Sequence, residues 1–454
     1  MDHDHDLPIQ WRSLNKTPPD PNALMPAQMG EVDRRDFLSL MAASLALAGL
    51  EGCTPAATLP EKIVPYVQQP EDILPGRPLH FATAMPFGGY GIGLIVKSDQ
   101  GRPIKVEGNP KHPASLGATD VFTQASVLDL YDPDRAKSVT NRGAIATFNG
   151  FVTVLSGKLD DLKSRDGQGL RFLSGRITSL SESRMLESIL RQFPQAQWNV
   201  FDPIHNDNAR AGSRMAFGRY VDTIYHVERA GVIVSLDSDF LSWGPARIRN
   251  IHDFAARRVS QPNASGAAGM NRLYVFESSP TITGAKADHR VALSPYNIVR
   301  LGAAIASRLG VAGAEKENLN DQWFDALMRD LESQRGAGIV IAGETQPPYV
   351  HALVHAINDK LGNTGRTIDY IEPLETRASG HTESLRELMQ AMQSRRVDTL
   401  IMMDVNPSYW APPDLEFSKH LGKVKLRVSH SLYYDETAAE CDWHIPKHGP
   451  IPRH

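Results

Sequence analysis

At 454 residues the chain is long enough for about two to three domains, each with its own core. Charged residues make up 22% and hydrophobic residues 41%, and the net charge of −4 offers no basic face for nucleic acid. Only two cysteines are present, Cys53 and Cys441, which excludes a disulfide framework. The same count excludes an iron–sulfur cluster held by this chain alone, because a cluster needs about four thiolates.

The first stretch, residues 1–53, reads as a leader. In "VDRRDFLSLMAASLALAGLEGC", Arg34 and Arg35 precede an apolar run from Phe37 to Leu50. That run is too short to span about 30 Å of hydrocarbon and suits a signal-peptide core. A twin arginine before Phe37-Leu38 resembles a Tat export signal, with Asp33 in place of the usual Ser or Thr. Leu50-Glu51-Gly52-Cys53 is similar to a lipoprotein cleavage box, and a lipidated Cys53 would hang the protein from a membrane. These signals predict export to the periplasmic face of the cytoplasmic membrane. Residues 54–75 are proline-bearing and read as a tether.

Residues 76–140 predict a small β-rich domain. "HFATAMPF", "YGIGLIVKS" and "RPIKVEGNP" are interleaved apolar runs separated by glycine-containing turns. "TDVFTQASVLDLYDPDR" predicts a helix ended by Pro133. Residues 141–310 alternate strands and helices, among them "GLRFLSG", "QWNVFD", "GVIVSLD" and "NRLYVFESS" as strands. The helix "LSESRMLESILRQFP" places Met185, Leu186, Ile189 and Leu190 on one apolar face. Residues 311–454 repeat the pattern in a second α/β domain. The alternation predicts parallel sheets with helices on both faces.

Candidate chemistry is sparse. Gly88, Gly89, Gly91 and Gly93 have the look of a phosphate loop, but the run continues into a strand, not a helix. Asp237, Asp239, Gly343, Glu344, Asp404 and Asn406 all follow apolar strands. Ligands of open α/β sheets sit at such carboxyl ends, so these residues are the candidate rim of a cofactor crevice. For any one of them, strand-ending and helix-capping duty is the favoured account. His351 and His355 lie four apart on a predicted helix with no acid to complete a zinc site, which predicts a helix-surface role. His444, His448 and His454 read as part of a solvated tail, as do His3 and His5. No nucleophile elbow or His-Glu-x-x-His motif is present.

"GIGLIVKSDQGRPIKVEGNPKHPASLG", "VIVSLDSDF", "GAKADHRVALSP", "INDKLGNTGRT" and "VNPSYWAPPDLEF" together resemble the molybdopterin oxidoreductase superfamily. With the leader, the likeness is closest to the large molybdopterin-like iron–sulfur subunit of alternative complex III, a quinol:electron-acceptor oxidoreductase. In cofactor-bearing relatives four cysteines hold a [4Fe–4S] cluster at the positions that are Met85, Gly88, Ile92 and Asp120 here. The resemblance therefore implies the scaffold without this cluster, without a molybdenum cofactor and without catalytic residues in this chain. It places iron–sulfur clusters in a further C-terminal half. The likeness fits through Asp442-Trp443-His444-Ile445-Pro446 and departs from Lys447 onward, which predicts a truncated or frameshifted reading frame and an incomplete second α/β domain. The implied partners are a membrane quinol-oxidising subunit and cytochrome c subunits. The competing enzyme reading is a true molybdenum bis-molybdopterin guanine dinucleotide oxidoreductase using the crevice rim. A third reading is a soluble periplasmic binding module.

Overall fold

The computed structural model describes residues 73–74, 76–258, 270–317, 319, 321–377 and 379–448, which belong to one unit, Glu71–His454. The leader positions Arg34, Arg35 and Cys53 lie outside the described residues. Strands β1 (Leu79–Phe87), β2 (Tyr90–Asp99) and β3 (Arg102–Gly108) form an antiparallel meander. Its two turns, Gly88-Gly89 and Gln100-Gly101, have positive φ at both central residues, the conformation that twists with a hairpin and favours glycine.

A four-stranded parallel sheet follows, in the order β11 (His289–Ala292), β10 (Arg272–Glu277), β9 (Val232–Leu236), β12 (Gly338–Ala342). Its strands alternate between two cores. Val232, Val234, Leu236, Phe276 and Val340 pack under helices Pro295–Arg308, Gln322–Ser333 and Pro348–Lys360. Ile233, Leu273, Val275, Ile339 and Ile341 pack on the other face against Val227, Phe240 and Phe254. Burial on both faces explains why these strands read as unbroken apolar runs. An antiparallel ribbon of β8 (Asp222–Tyr225) and β13 (Ile368–Ile371) stands beside it.

The larger sheet has seven strands. Its order is β5 (Ala144–Ile145), β4 (Thr140–Asn141), β16 (Trp443–Pro446), β15 (Leu426–Ser431), β14 (Thr399–Met403), β6 (Leu170–Ser174), β7 (Gln197–Val200). The β16–β4 and β4–β5 pairings are antiparallel and the others are parallel. Strand pairing therefore crosses the expected boundary at residue 310: β12 joins β9, and β14 joins β6. Residues 141–310 and 311–454 are interleaved in both sheets and are not successive domains. Periodicity reports what a segment buries, not which distant strand it pairs with, so this exchange leaves no local signal.

Three local expectations fail for physical reasons. The predicted helix through Pro133 stops at Ala125 and gives way to a 3-10 turn, Leu128–Leu130. There the Ser126 hydroxyl donates to the Thr123 carbonyl at 2.7 Å, competing with the helical ladder. Met185 is 69% exposed, while Leu186 and Phe193 carry the buried face of helix Leu180–Gln192. His444 is not in a solvated tail: it is 1% exposed on β16, opposite Ser429, and its Nε2 lies 3.1 Å from the Ser431 hydroxyl. Among the described residues no helix is long and apolar enough to cross a membrane.

Helix Asp207–Phe217 lies directly on helix Pro348–Lys360 at Gly212. A Cβ there would overlap the Cβ of His351 and approach the Pro348 carbonyl oxygen to 2.7 Å. Gly212→Ala, despite its better helix propensity, is expected to lower stability by about 1–3 kcal/mol through overpacking, read by urea unfolding.

Candidate functional site

The carboxyl ends of β9 and β12 meet where their loops nearly touch. A Cβ at Gly343 would overlap the carbonyl oxygen of Asp237, so glycine is required by the approach of two chain segments. Asp237 has φ +60° and turns its carboxylate inward: Oδ1 accepts from the Ser278 amide at 2.9 Å, and Oδ2 from Gln346 Nε2 at 3.1 Å. Asp239 Oδ1 accepts from the Thr283 amide at 2.9 Å and its hydroxyl at 2.6 Å. Glu344 Oε2 takes the Trp243 indole N–H at 3.1 Å. Burial pushes the Glu344 carboxyl above the usual range, against that bond and the charge of Arg176.

These four rim residues therefore gather on one sheet, and Asp404 and Asn406 do not join them. The latter pair follows β14 in the seven-stranded sheet. Asp404 takes Lys447 Nζ at 2.6 Å. Asn406 accepts from the Thr437 hydroxyl at 2.7 Å and donates to Glu436 at 2.7 Å. Each candidate is bonded to the protein's own loops.

A denser constellation, absent from the sequence reading, lies at the carboxyl ends of β6 and β7. Arg176, two residues past β6, stretches toward the hairpin: its Nη1 donates to the Gly88 carbonyl at 3.1 Å, and its guanidinium lies 5.2 Å from the Tyr90 ring. Its Nε lies 3.4 Å from Glu375, a side chain only 1% exposed. Arg210, 3% exposed, donates to the same Glu375 oxygen and, at 2.7 Å, to the Ser379 carbonyl. His381 completes the set. The Asp202 amide donates to its Nδ1 at 2.9 Å, which leaves the ring N–H at Nε2 for Glu375 Oε2 at 3.4 Å. His205 stacks on His381 at 5.8 Å, and Asp207 accepts the His381 and Thr382 amides at 2.9 and 3.1 Å.

Burial disfavours the Glu375 anion, yet the bond from His381 and the charge of Arg210 hold its carboxyl below the usual range. Burial likewise pushes the Tyr90 hydroxyl up to about 12. This arrangement orders two guanidiniums around one carboxylate and fixes an imidazole tautomer. A Gly-Arg directly after "LRFLS" is the one sequence signal that could have found it. Arg210 and Glu375 are 165 residues apart, beyond any motif.

The positions assigned to cluster cysteines are close in space and poor in donors. Met85 and Ile92 are cross-strand partners, Ile92 is buried with Leu94, Val106 and Ile248, and Gly88 forms the turn. Asp120 caps helix Val121–Ala125 and accepts from Arg247 Nε at 2.7 Å. Glycine and isoleucine offer iron no donor atom, a thioether is a weak one, and the lone carboxylate is taken; these residues do not fit a four-iron cluster. At the rim, Asp237, Asp239, Glu344, Asp404 and Asn406 each have a side-chain oxygen bonded within the chain, to Ser278 and Gln346, Thr283, Trp243, Lys447 and Thr437. Among the described residues no group of three or more His, Cys, Asp or Glu could hold a metal ion. The expectation of surface histidines fails: His351 and His355 are buried under helix Asp207–Phe217, and burial lowers each ring to about 4.

Removing the central carboxylate leaves two buried cations without their partner. Glu375→Gln is expected to cost about 3–5 kcal/mol at pH 7. Because the folded-state value of Glu375 is depressed, its contribution is full above the unfolded value of about 4.3 and fades as pH falls through the folded one. Urea unfolding from pH 7 down to 3 should therefore show the wild-type and variant stabilities converging at the acid end.

No family model matches the chain. The "menaquinone reductase, molybdopterin-binding-like subunit" of Nitratidesulfovibrio vulgaris strain Hildenborough is 23% identical over 404 residues, covering 78% of this chain and 56% of the relative. The chain thus spans about half the length of that curated relative. Among solved structures, acetylene hydratase from Pelobacter acetylenicus superposes with a TM-score of 0.55 at 12% identity, over 80% of this chain and 62% of that one. A formyltransferase/hydrolase complex from Methylorubrum extorquens reaches a TM-score of 0.44 at 14% identity, over 68% of this chain and 86% of that chain. The chain has the molybdopterin oxidoreductase fold, and its sequence relationship to a molybdopterin-binding-like subunit bears out the superfamily resemblance carried by its segments.

Proposed function

We propose that this chain is the molybdopterin-oxidoreductase-like subunit of a quinone-linked respiratory complex of the alternative complex III type. Residues 76–448 serve it as a scaffold in an electron-transfer assembly and hold neither molybdenum cofactor nor iron–sulfur cluster. The observation that carries this reading is the commitment of the rim and cradle: every residue there with a side-chain oxygen or nitrogen is bonded to the chain itself. The relationship to a menaquinone reductase subunit supports the link to quinone chemistry. The partners would be a membrane quinol-oxidising subunit and cytochrome c subunits, with iron–sulfur clusters carried outside these residues.

Metal analysis and guanine-nucleotide release from the purified full chain test the reading. Neither molybdenum nor iron should be present in stoichiometric amount, and stoichiometric molybdenum with a released guanine nucleotide would establish the rival enzyme. The same proposal places the protein at the periplasmic face of the cytoplasmic membrane, exported through Arg34-Arg35 and held by a lipidated Cys53. Replacing both arginines with lysine should strand the chain in the cytoplasm. Cys53→Ser should shift it from the membrane to the soluble periplasmic fraction, as read by cell fractionation.

A further inference from the structure

Three of the four cradle positions meet a side chain from the α/β body: Gly88 meets Arg176, Ile92 shares a buried cluster with Ile248, and Asp120 pairs with Arg247. Helix Arg247–Ala256 supplies three consecutive contacts. Arg247, 4% exposed, donates from Nε to Asp120 Oδ2 at 2.7 Å and lays its guanidinium 4.2 Å from the centre of the Phe87 ring. Ile248 enters the core that holds Ile92, Leu94, Val96 and Val106, against which Met85 also packs. Arg249 Nη1 donates to the Pro113 carbonyl at 3.0 Å. At the hairpin's tip Arg176 Nη1 takes the Gly88 carbonyl at 3.1 Å, and the Thr178 hydroxyl takes that of Gly89 at 2.6 Å.

We infer that Arg247, seconded by Ile248 and Arg176, is the chain's substitute for a cluster as the fastener of the β1–β3 meander to the α/β body. A cluster joins its hairpin to the next segment through four bonds to one inorganic core. Here the same positions are joined by a buried ion pair, a cation–π contact and an apolar plug. The chemistry is adequate to the task. A guanidinium shielded from water on an aromatic face is attracted more strongly by the ring than an exposed one. Its bond to a carboxylate is of the charge-assisted kind, roughly twice as strong as a neutral one. Asp120 is fixed for its role by the reciprocal capping bonds with Thr123, at 2.9 Å each way.

This inference rests on the cluster-free reading proposed above, and the two fail by different measurements. Iron content of the wild-type chain decides the earlier one. Hydrogen exchange of the full chain decides this one. Arg247→Met keeps a long apolar side chain and removes the charge; it should speed exchange of the Ile92–Val96 amides at least tenfold and leave those of Ile233 and Val234 within about threefold of wild type. Asp120→Asn, which retains a good cap, should give the same local change, and the double variant no more than either single. Unchanged exchange in β2, uniform acceleration of both sheets, or effects that multiply in the double variant would overturn the inference. Should Arg247→Met fail to fold, Arg247→Lys must still raise exchange in β2 above that in β9, and equal rates there would overturn it as well.

Discussion

Two guanidiniums and an imidazole converge on the carboxylate of Glu375, which is almost wholly withdrawn from water. A buried carboxylate costs several kcal/mol in lost hydration, and only close, well-hydrogen-bonded partners offset it. That requirement couples segments otherwise far apart. Arg176 leaves the end of β6, Arg210 sits on helix Asp207–Phe217, and His381 begins helix His381–Gln393. None of these three can shift without uncovering the charge, so the network holds the seven-stranded sheet, its crossover helix and the hairpin tip in one register.

The same network limits what the crevice can take in. A ligand's anionic groups would need free donors, and three of the five Arg176 N–H groups already go to Gly88, Glu375 and Asn206. On the neighbouring sheet Asp237 and Asp239 likewise bind the loops that follow β10 and β12. An incoming polar group would have to break an intramolecular bond for each bond it made, with little net gain. The side chains at both strand ends are directed at each other and at the neighbouring loops.

The elements were largely legible in the sequence, because burial on one or both faces imprints a period that local composition reports. The runs "VIVSL" and "GIVIA" read as core strands, and Gly88-Gly89 and Gln100-Gly101, each followed by another apolar run, read as hairpin turns. What stayed hidden was long range. Nothing near residue 142 announces that Asn141 will pair with Trp443, and nothing near Arg210 names Glu375. The rim was half legible: Asp237, Asp239, Gly343 and Glu344 do share one end of one sheet, while Asp404 and Asn406 belong to the other. The misread histidines follow the same rule. A helix that two layers cover looks, in one dimension, like a helix that only one layer covers.

The glycines make the point about function most sharply. Gly343 and Gly89 both stand where a cofactor loop would want bare backbone, and both are glycine for another reason. A Cβ on Gly343 would strike the Asp237 carbonyl, and one on Gly89 would come within 2.5 Å of the Arg176 carbonyl. The close approach that in a nucleotide site brings backbone to phosphate brings backbone to backbone here. Chain against chain is a complete account of these two positions, so glycine there is not by itself a sign of a nucleotide loop.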